Sequence, residues 1–172
     1  ALLRRLADYA QAGIHPSYNT FNDKARLQSE INGLSQVLRQ PIKLSRQHYL
    51  RLRLPLTYHN LIDLDITDDY TMGFASAPGF RAGITIPFPF YDLDHDVTTT
   101  LHVHPFMIMD GSLRDYLNLD PEAAIEKALP IIASVKENGG ELITLWHNES
   151  LSDKKRWTGW RTVYEKIIEA AV

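Results

Sequence analysis

The sequence predicts an α/β fold in which helices alternate with strands around a parallel sheet, open or closed into a barrel. Two observations lead there. Helical and extended apolar patterns follow one another along all 172 residues, and 44% of the residues are apolar against 23% charged, enough to bury one core. A third concerns function: four of the seven histidines, His15, His102, His104 and His147, fall at strands or strand ends. In parallel α/β architectures the carboxyl ends of the strands are where functional groups gather.

The elements follow in order. Leu2, Leu3, Leu6 and Ala10 repeat at a helical period in a segment closed by Gly13, and Ile14-His15-Pro16 reads as a strand end. Asn22 is placed to cap a second helix, with Leu27, Ile31, Leu34 and Leu38 on one face and Pro41 as the stop. Ile42 to Ser45 alternates as a strand, and a short helix runs from about Pro55 to Leu64, opened by its proline. Ile66 to Phe74 is expected to be extended. The prolines of Pro87-Phe88-Pro89-Phe90 then argue for a long loop or an edge segment. Thr98 to Met109 returns to strand chemistry and ends at Asp110-Gly111. Asp120-Pro121-Glu122 is a strong helix start, and Ile125, Ala128, Ile132 and Val135 give that helix its buried face. Glu141 to Trp146 reads as a nearly continuous apolar strand, and a last helix from about Thr158 to Ala171 buries Trp160, Val163, Ile167 and Ile168.

Composition excludes several classes of function. Lys and Arg number 18 against 21 Asp and Glu, a formal charge of −3, so the chain is no strongly basic nucleic-acid module. Zero cysteines exclude a disulfide scaffold, a Cys-ligated zinc site and a thiol nucleophile. No apolar run approaches the roughly 20 residues that span a bilayer, and no leader pattern is visible. A soluble protein is expected, with the cytoplasm favoured and the compartment otherwise open. Because the helical pattern begins directly after Ala1, the native amino terminus is expected to lie upstream or to have been processed.

Histidines spread over a sheet but sharing one rim are what a metal or acid-base site needs, because imidazole titrates near pH ~6.5 and can bind a cation or move a proton. His102 and His104 share one face of a strand, but Phe106, Ile108 and Asp110 share it too, so the pair is either a metal pair or the flank of a core. A jelly-roll metal protein built on that pair does not suit a chain with this many helical segments. His59 lies on a predicted helix, and His95 stands among Asp92, Asp94 and Asp96 in a run without the glycine and terminal glutamate of an EF-hand; both are expected to be solvated and to form no site. Arg46 follows a strand and can orient a carboxylate, Asp68 and Asp69 can supply one or cap a turn, and Leu145-Trp146-His147-Asn148-Glu149 delivers an imidazole to a strand end, which suits a general acid. Trp146 and Trp157 are candidates for stacking on sugar rings, whereas Trp160 lies on a core-facing helical stripe.

Taken in order, Gly13-Ile14-His15-Pro16-Ser17-Tyr18, Ser45-Arg46-Gln47-His48-Tyr49, Thr67-Asp68-Asp69-Tyr70-Thr71-Met72-Gly73-Phe74, Gly79-Phe80-Arg81-Ala82-Gly83, His104-Pro105-Phe106-Met107-Ile108-Met109-Asp110 and Leu145-Trp146-His147-Asn148-Glu149 resemble the polysaccharide deacetylase (NodB-homology) family, and more closely a divergent branch of Bacteroidetes type. The resemblance implies a distorted (β/α) barrel, incomplete at its amino end, with residues 1–172 as a single domain forming the carboxyl-terminal majority of a longer catalytic domain. It implies metal-assisted hydrolysis of the N-acetyl amide of a sugar or polysaccharide, with a divalent cation, zinc among the candidates. His15 resembles the second histidine of the family's metal motif, and His48 stands where it can restore a ligand. Arg46 is similar to the arginine that holds the catalytic aspartate, Asp69 to a rim aspartate, and His147 to the late histidine that protonates the leaving amine. Gln11 stands where the family's other metal histidine belongs, and the family's paired first-strand aspartates have no counterpart in the chain. Those departures motivate a second reading, a deacetylase-shaped protein without catalysis that binds glycans or a protein partner.

Overall fold

Aspartates cap the two longest helices. In the computed structural model, which describes residues 2–172, the Asp23 carboxylate accepts the Arg26 N–H at 2.9 Å and opens α2 (Lys24–Leu38). Asp120 accepts the Ala123 N–H at 2.9 Å and opens α4 (Pro121–Glu137), with a proline in the first turn, where a missing N–H does no harm. The cap of α2 is one residue later than the predicted Asn22. The remaining helices are α1 (Leu2–Ala7), α3 (Leu56–Asp63) and α5 (Trp160–Ala171). Of the predicted apolar stripe on α1, Leu2, Leu3 and Leu6 are exposed.

The chain divides into two compact units, each built from two stretches. The first comprises residues up to Thr71 together with Phe88–His104; the second comprises Met72–Pro87 and Pro105–Val172. In the first, β1 (Leu44–Ser45), β2 (Asp68–Asp69), β3 (Phe88–Asp92) and β4 (Val97–Val103) form a sheet in the order β1-β2-β4-β3. β1, β2 and β4 are parallel, with Ser45 opposite Asp69 and Asp69 opposite Val103, and Ile14 adds a parallel bridge to Ser45. β3 is antiparallel to β4 and lies at the edge, where Pro89, which has no N–H to give to a ladder, is tolerated; the register shifts between Pro89 and Tyr91. Leu27 and Ile31 of α2, Tyr58 and Leu61 of α3, and Leu101 and Val103 of β4 are buried, and the Tyr58 and Phe90 rings meet edge to face.

The second unit holds one parallel pair, β5 (Ile108–Met109) with β6 (Thr144–Leu145), together with α4 and α5. Ala124, Ala128, Ile132 and Val135 of α4 are buried, as are Trp160, Val163 and Ile167 of α5, while the predicted Ile168 is 41% exposed. A π-helical turn, Ser112–Tyr116, follows β5 after Asp110 and Gly111.

The distorted (β/α) barrel is therefore incorrect: among the described residues six strands lie in two small sheets, and no barrel closes. The predicted alternation did yield parallel pairs, but four of the strands contribute only two residues each, and the first sheet ends in an antiparallel hairpin. A closed parallel barrel needs about eight staggered, tilted strands of comparable length.

Packing in the second unit leaves no room at one backbone position. Gly73 lies against the buried Phe106 ring, whose own N–H donates to the Met72 carbonyl at 2.9 Å, and a Cβ at Gly73 would fall inside the ring's van der Waals envelope. Gly73→Ala should destabilise the protein by about 1–3 kcal/mol in urea unfolding, as overpacking does. Adding Phe106→Leu should recover part of that loss, so the two changes together should be less damaging than their sum. Strict additivity would show that the two residues do not meet.

Candidate functional site

Two networks, one in each unit, place titratable groups at the carboxyl ends of parallel strands. In the first unit, Asp69 closes β2 and is fully buried. Its Oδ2 accepts the hydroxyls of Ser45 at 2.6 Å and Thr71 at 2.7 Å, and its Oδ1 accepts the Thr71 N–H at 3.0 Å. Thr71 Oγ1 in turn accepts the Gln47 N–H at 2.9 Å. Burial pushes the Asp69 carboxyl above its usual range, and the hydrogen bonds from Ser45 and Thr71 and the charge of Arg46 only partly offset it. Arg46, itself drawn below its ordinary range by burial, donates through Nε to the Tyr70 carbonyl at 3.0 Å.

His15, Arg46, His48 and Asp69 lie at one end of the parallel strands of the first unit, whereas His147 belongs to the second unit. His15 Nδ1 is 2.7 Å from the Arg46 carbonyl, and the His15 and His48 rings tilt against each other at 4.8 Å. Among the described residues no third histidine, aspartate or glutamate joins those two imidazoles as a metal ligand. His104 is held by Asp68, Nε2 to Oδ1 at 2.7 Å, and stacks on Tyr70 with ring centroids 4.4 Å apart. Asp68 and Tyr70 also line a groove of about 610 Å³ with Gln11 and Lys43.

In the second unit, Asp110 follows β5 and His147 lies two residues beyond β6, so the parallel β5–β6 pair carries both to the same end. Asp110 is fully buried and receives four donors. Its Oδ1 accepts the Gly111 N–H at 2.6 Å and faces His147 Nδ1 at 2.8 Å; its Oδ2 accepts the His147 N–H at 2.7 Å and the Ser150 hydroxyl at 2.5 Å. Burial pushes this carboxyl up, but the bonds from His147 and Ser150 outweigh it and hold it below its ordinary range. Asp110 is therefore a carboxylate, and it fixes the tautomer of His147 with the proton on Nδ1, which makes Nε2 the nitrogen that gives or takes a proton. The His147 side chain is 57% exposed. The sequence shows His147 at a strand end, but it presents Asp110 as the first residue of a turn, and only the β5–β6 pairing reveals it as the imidazole's partner.

A third group contradicts the expectation that His59 and His95 are merely solvated. His59 Nε2 and His95 Nδ1 both lie 2.7 Å from Asp92 Oδ2. This set, with its ligand atoms within 4.8 Å of one another, could hold a metal ion. Loss of water pushes the Asp92 carboxyl up, yet the bonds from His95, His59 and the Asp94 N–H bring it down to about 2.

Among the described residues no helix is long and apolar enough to cross a membrane. No protein-family profile matches the chain, and no curated protein matches it.

The raised carboxyl of Asp69 sets a pH dependence. The unfolded chain releases this proton near pH ~3.9, while the folded chain keeps it to higher pH, so Asp69 makes stability fall as pH rises from about 4 towards the folded-state value. Asp69→Asn cannot ionise and should flatten that decline, measured as urea unfolding free energy between pH 4 and 8. A decline as steep as that of the parent chain would show that Asp69 is charged in the folded protein.

Proposed function

We propose that the chain supplies the acid-base machinery of a hydrolase that acts on the N-acetyl amide of a carbohydrate, with His147 as the general acid and Asp110 as its positioning residue. The observation that supports this is the pairing of a fully buried, ionised Asp110 with a half-exposed imidazole whose tautomer it fixes. Amide cleavage requires such a group. Water oxygen bonds to the acetyl carbon as one of its protons passes to His147 Nε2; the carbon–nitrogen bond then breaks as the same nitrogen returns that proton to the departing amine, leaving acetic acid, which ionises to acetate, and a free amino sugar. Ser150 and the Gly111 N–H keep the carboxylate aligned through the proton transfer, because they occupy its remaining acceptor positions. The ordered resemblance of the strand-end segments to polysaccharide deacetylases is what selects an N-acetylated sugar among amide substrates.

The divalent cation that this resemblance implies at His15 and His48 does not fit the residues present. Two imidazoles without a third His, Asp or Glu ligand fall short of the three protein ligands of catalytic zinc, and His15 Nδ1 already faces the Arg46 carbonyl. The same observation favours the second reading, a glycan-binding protein without turnover, for which the groove beside Asp68 and Tyr70 offers a polar surface.

Acetate release from N-acetylglucosamine oligomers separates the two readings. Turnover should fall about 10²–10⁴-fold in His147→Ala, with partial rescue by added imidazole, and should fall through kcat with little change in KM in Asp110→Asn. Undiminished turnover in His147→Ala would remove the proposed acid. Saturable oligosaccharide binding with no acetate release from the parent chain would establish the binding reading in its place.

A further inference from the structure

We propose that His59, Asp92 and His95 bind a divalent transition-metal ion of the zinc class, which ties helix α3 to the β3–β4 hairpin of the first unit. The three ligands come from three local structures. His59 sits mid-helix in α3, Asp92 is the last residue of β3, and His95 lies in the turn before β4. The sheet register that pairs Asp92 with Val97 forms the tight hairpin around that turn, which brings His95 back over the Asp92 carboxylate. Contact between α3 and β4 brings His59 to the same oxygen from the other side, 33 residues away in sequence.

The donor chemistry favours a metal over a purely hydrogen-bonded cluster. Two imidazole nitrogens and one carboxylate oxygen form a common zinc set, one that leaves a fourth position for water. Asp92 Oδ1 is anchored by the Asp94 N–H at 3.0 Å, so Oδ2 is turned towards both imidazoles at once. Without an ion, both rings must direct an N–H at that single oxygen. With one, each ring presents its lone pair instead, and the nitrogen–oxygen separations widen from 2.7 Å to about 3.3 Å, as bond lengths near 2.0 Å at a tetrahedral centre demand. His95 has room for that shift, since its side chain is 69% exposed, and the same exposure gives the ion its path from solvent. The segment from Tyr91 to Val97 also carries Asp94 and Asp96 and has no lysine or arginine, so the local charge draws cations in. Asp92, only 5% exposed in its side chain, is the buried anchor, and the imidazoles are the movable arms.

This inference is independent of deacetylation and is tested without an activity assay. Metal-stripped full chain is titrated with zinc chloride by calorimetry and followed by thermal unfolding. One equivalent should bind in the micromolar range or tighter, the melting temperature should rise by about 5–10 °C at a hundredfold excess over the dissociation constant, and chelation should reverse the rise. Cobalt(II) in place of zinc should give the intense visible bands of a four-coordinate ion. His95→Ala, an exposed turn substitution that leaves the apo fold intact, should weaken binding at least a hundredfold, as should His59→Ala. His15→Ala, His48→Ala and His147→Ala should bind zinc as the parent does. Absence of binding by the parent chain, or unaltered binding by His95→Ala, would overturn the proposal. So would loss of binding in a His15 or His48 variant while His95→Ala still binds.

Discussion

A carboxylate taken out of water must have its lone pairs met, and each unit of this protein is arranged around one that is fully buried at the end of a two-residue parallel strand pair. Ladders that short fix little by themselves. In the first unit, Ser45 and Thr71 reach Asp69 from either side and Gln47 is drawn in through Thr71, so β1 and β2 are joined by side chains as much as by backbone. In the second unit, Asp110 does the same for the segments after β5 and β6, receiving Gly111 from its own strand and both His147 and Ser150 from the other.

The two carboxyls share placement and burial but are shifted in opposite directions from their ordinary range, and the donors explain why. Asp69 meets two hydroxyls and one backbone N–H, with Arg46 engaged at the Tyr70 carbonyl, and desolvation prevails. Its donors tie β1 to the segment after β2, which suits a structural latch. Asp110 meets two backbone N–H groups, a hydroxyl and an imidazole able to carry positive charge, and the donors prevail. A permanent carboxylate beside a half-exposed ring is an orienting group. Burial thus separates a latch from an acid-base pair only in combination with what surrounds it.

That combination also marks the limit of what the sequence discloses. Local chemistry was readable: Asp120-Pro121-Glu122 starts α4, Pro55 precedes α3, and the prolines near Phe88 put that strand at an edge. The predicted strands are too long because apolar and β-branched content continues through residues such as Ile66, Phe106 and Ile143 that are buried without belonging to a ladder. The barrel expectation failed for a related reason, since alternation of element types does not say how many strands pair or whether they close. Asp110 and His147 lie 37 residues apart, and His59 and Asp92 lie 33 apart. Nothing local in an Asp-rich turn indicates that a helix histidine will meet it. Strand register carries the first of these pairings and helix packing on the sheet carries the second.

Imidazole–carboxylate contacts result at His59, His95, His104 and His147, and their exposure sorts them by role. His104 is oriented by Asp68 as firmly as His147 is by Asp110, but its side chain is only 13% exposed, its ring lies under Tyr70, and its Nδ1 is buried without a hydrogen-bond partner. An imidazole so enclosed offers no nitrogen to a reactant, so its carboxylate serves packing. His59 and His95 converge on a single oxygen, an arrangement in which neither ring has a partner of its own and a cation can replace two protons at once. His147 combines a dedicated, ionised partner with a half-exposed ring. A carboxylate beside histidine is therefore not a catalytic signature in this protein; the geometry becomes one only where the second ring nitrogen can meet a substrate.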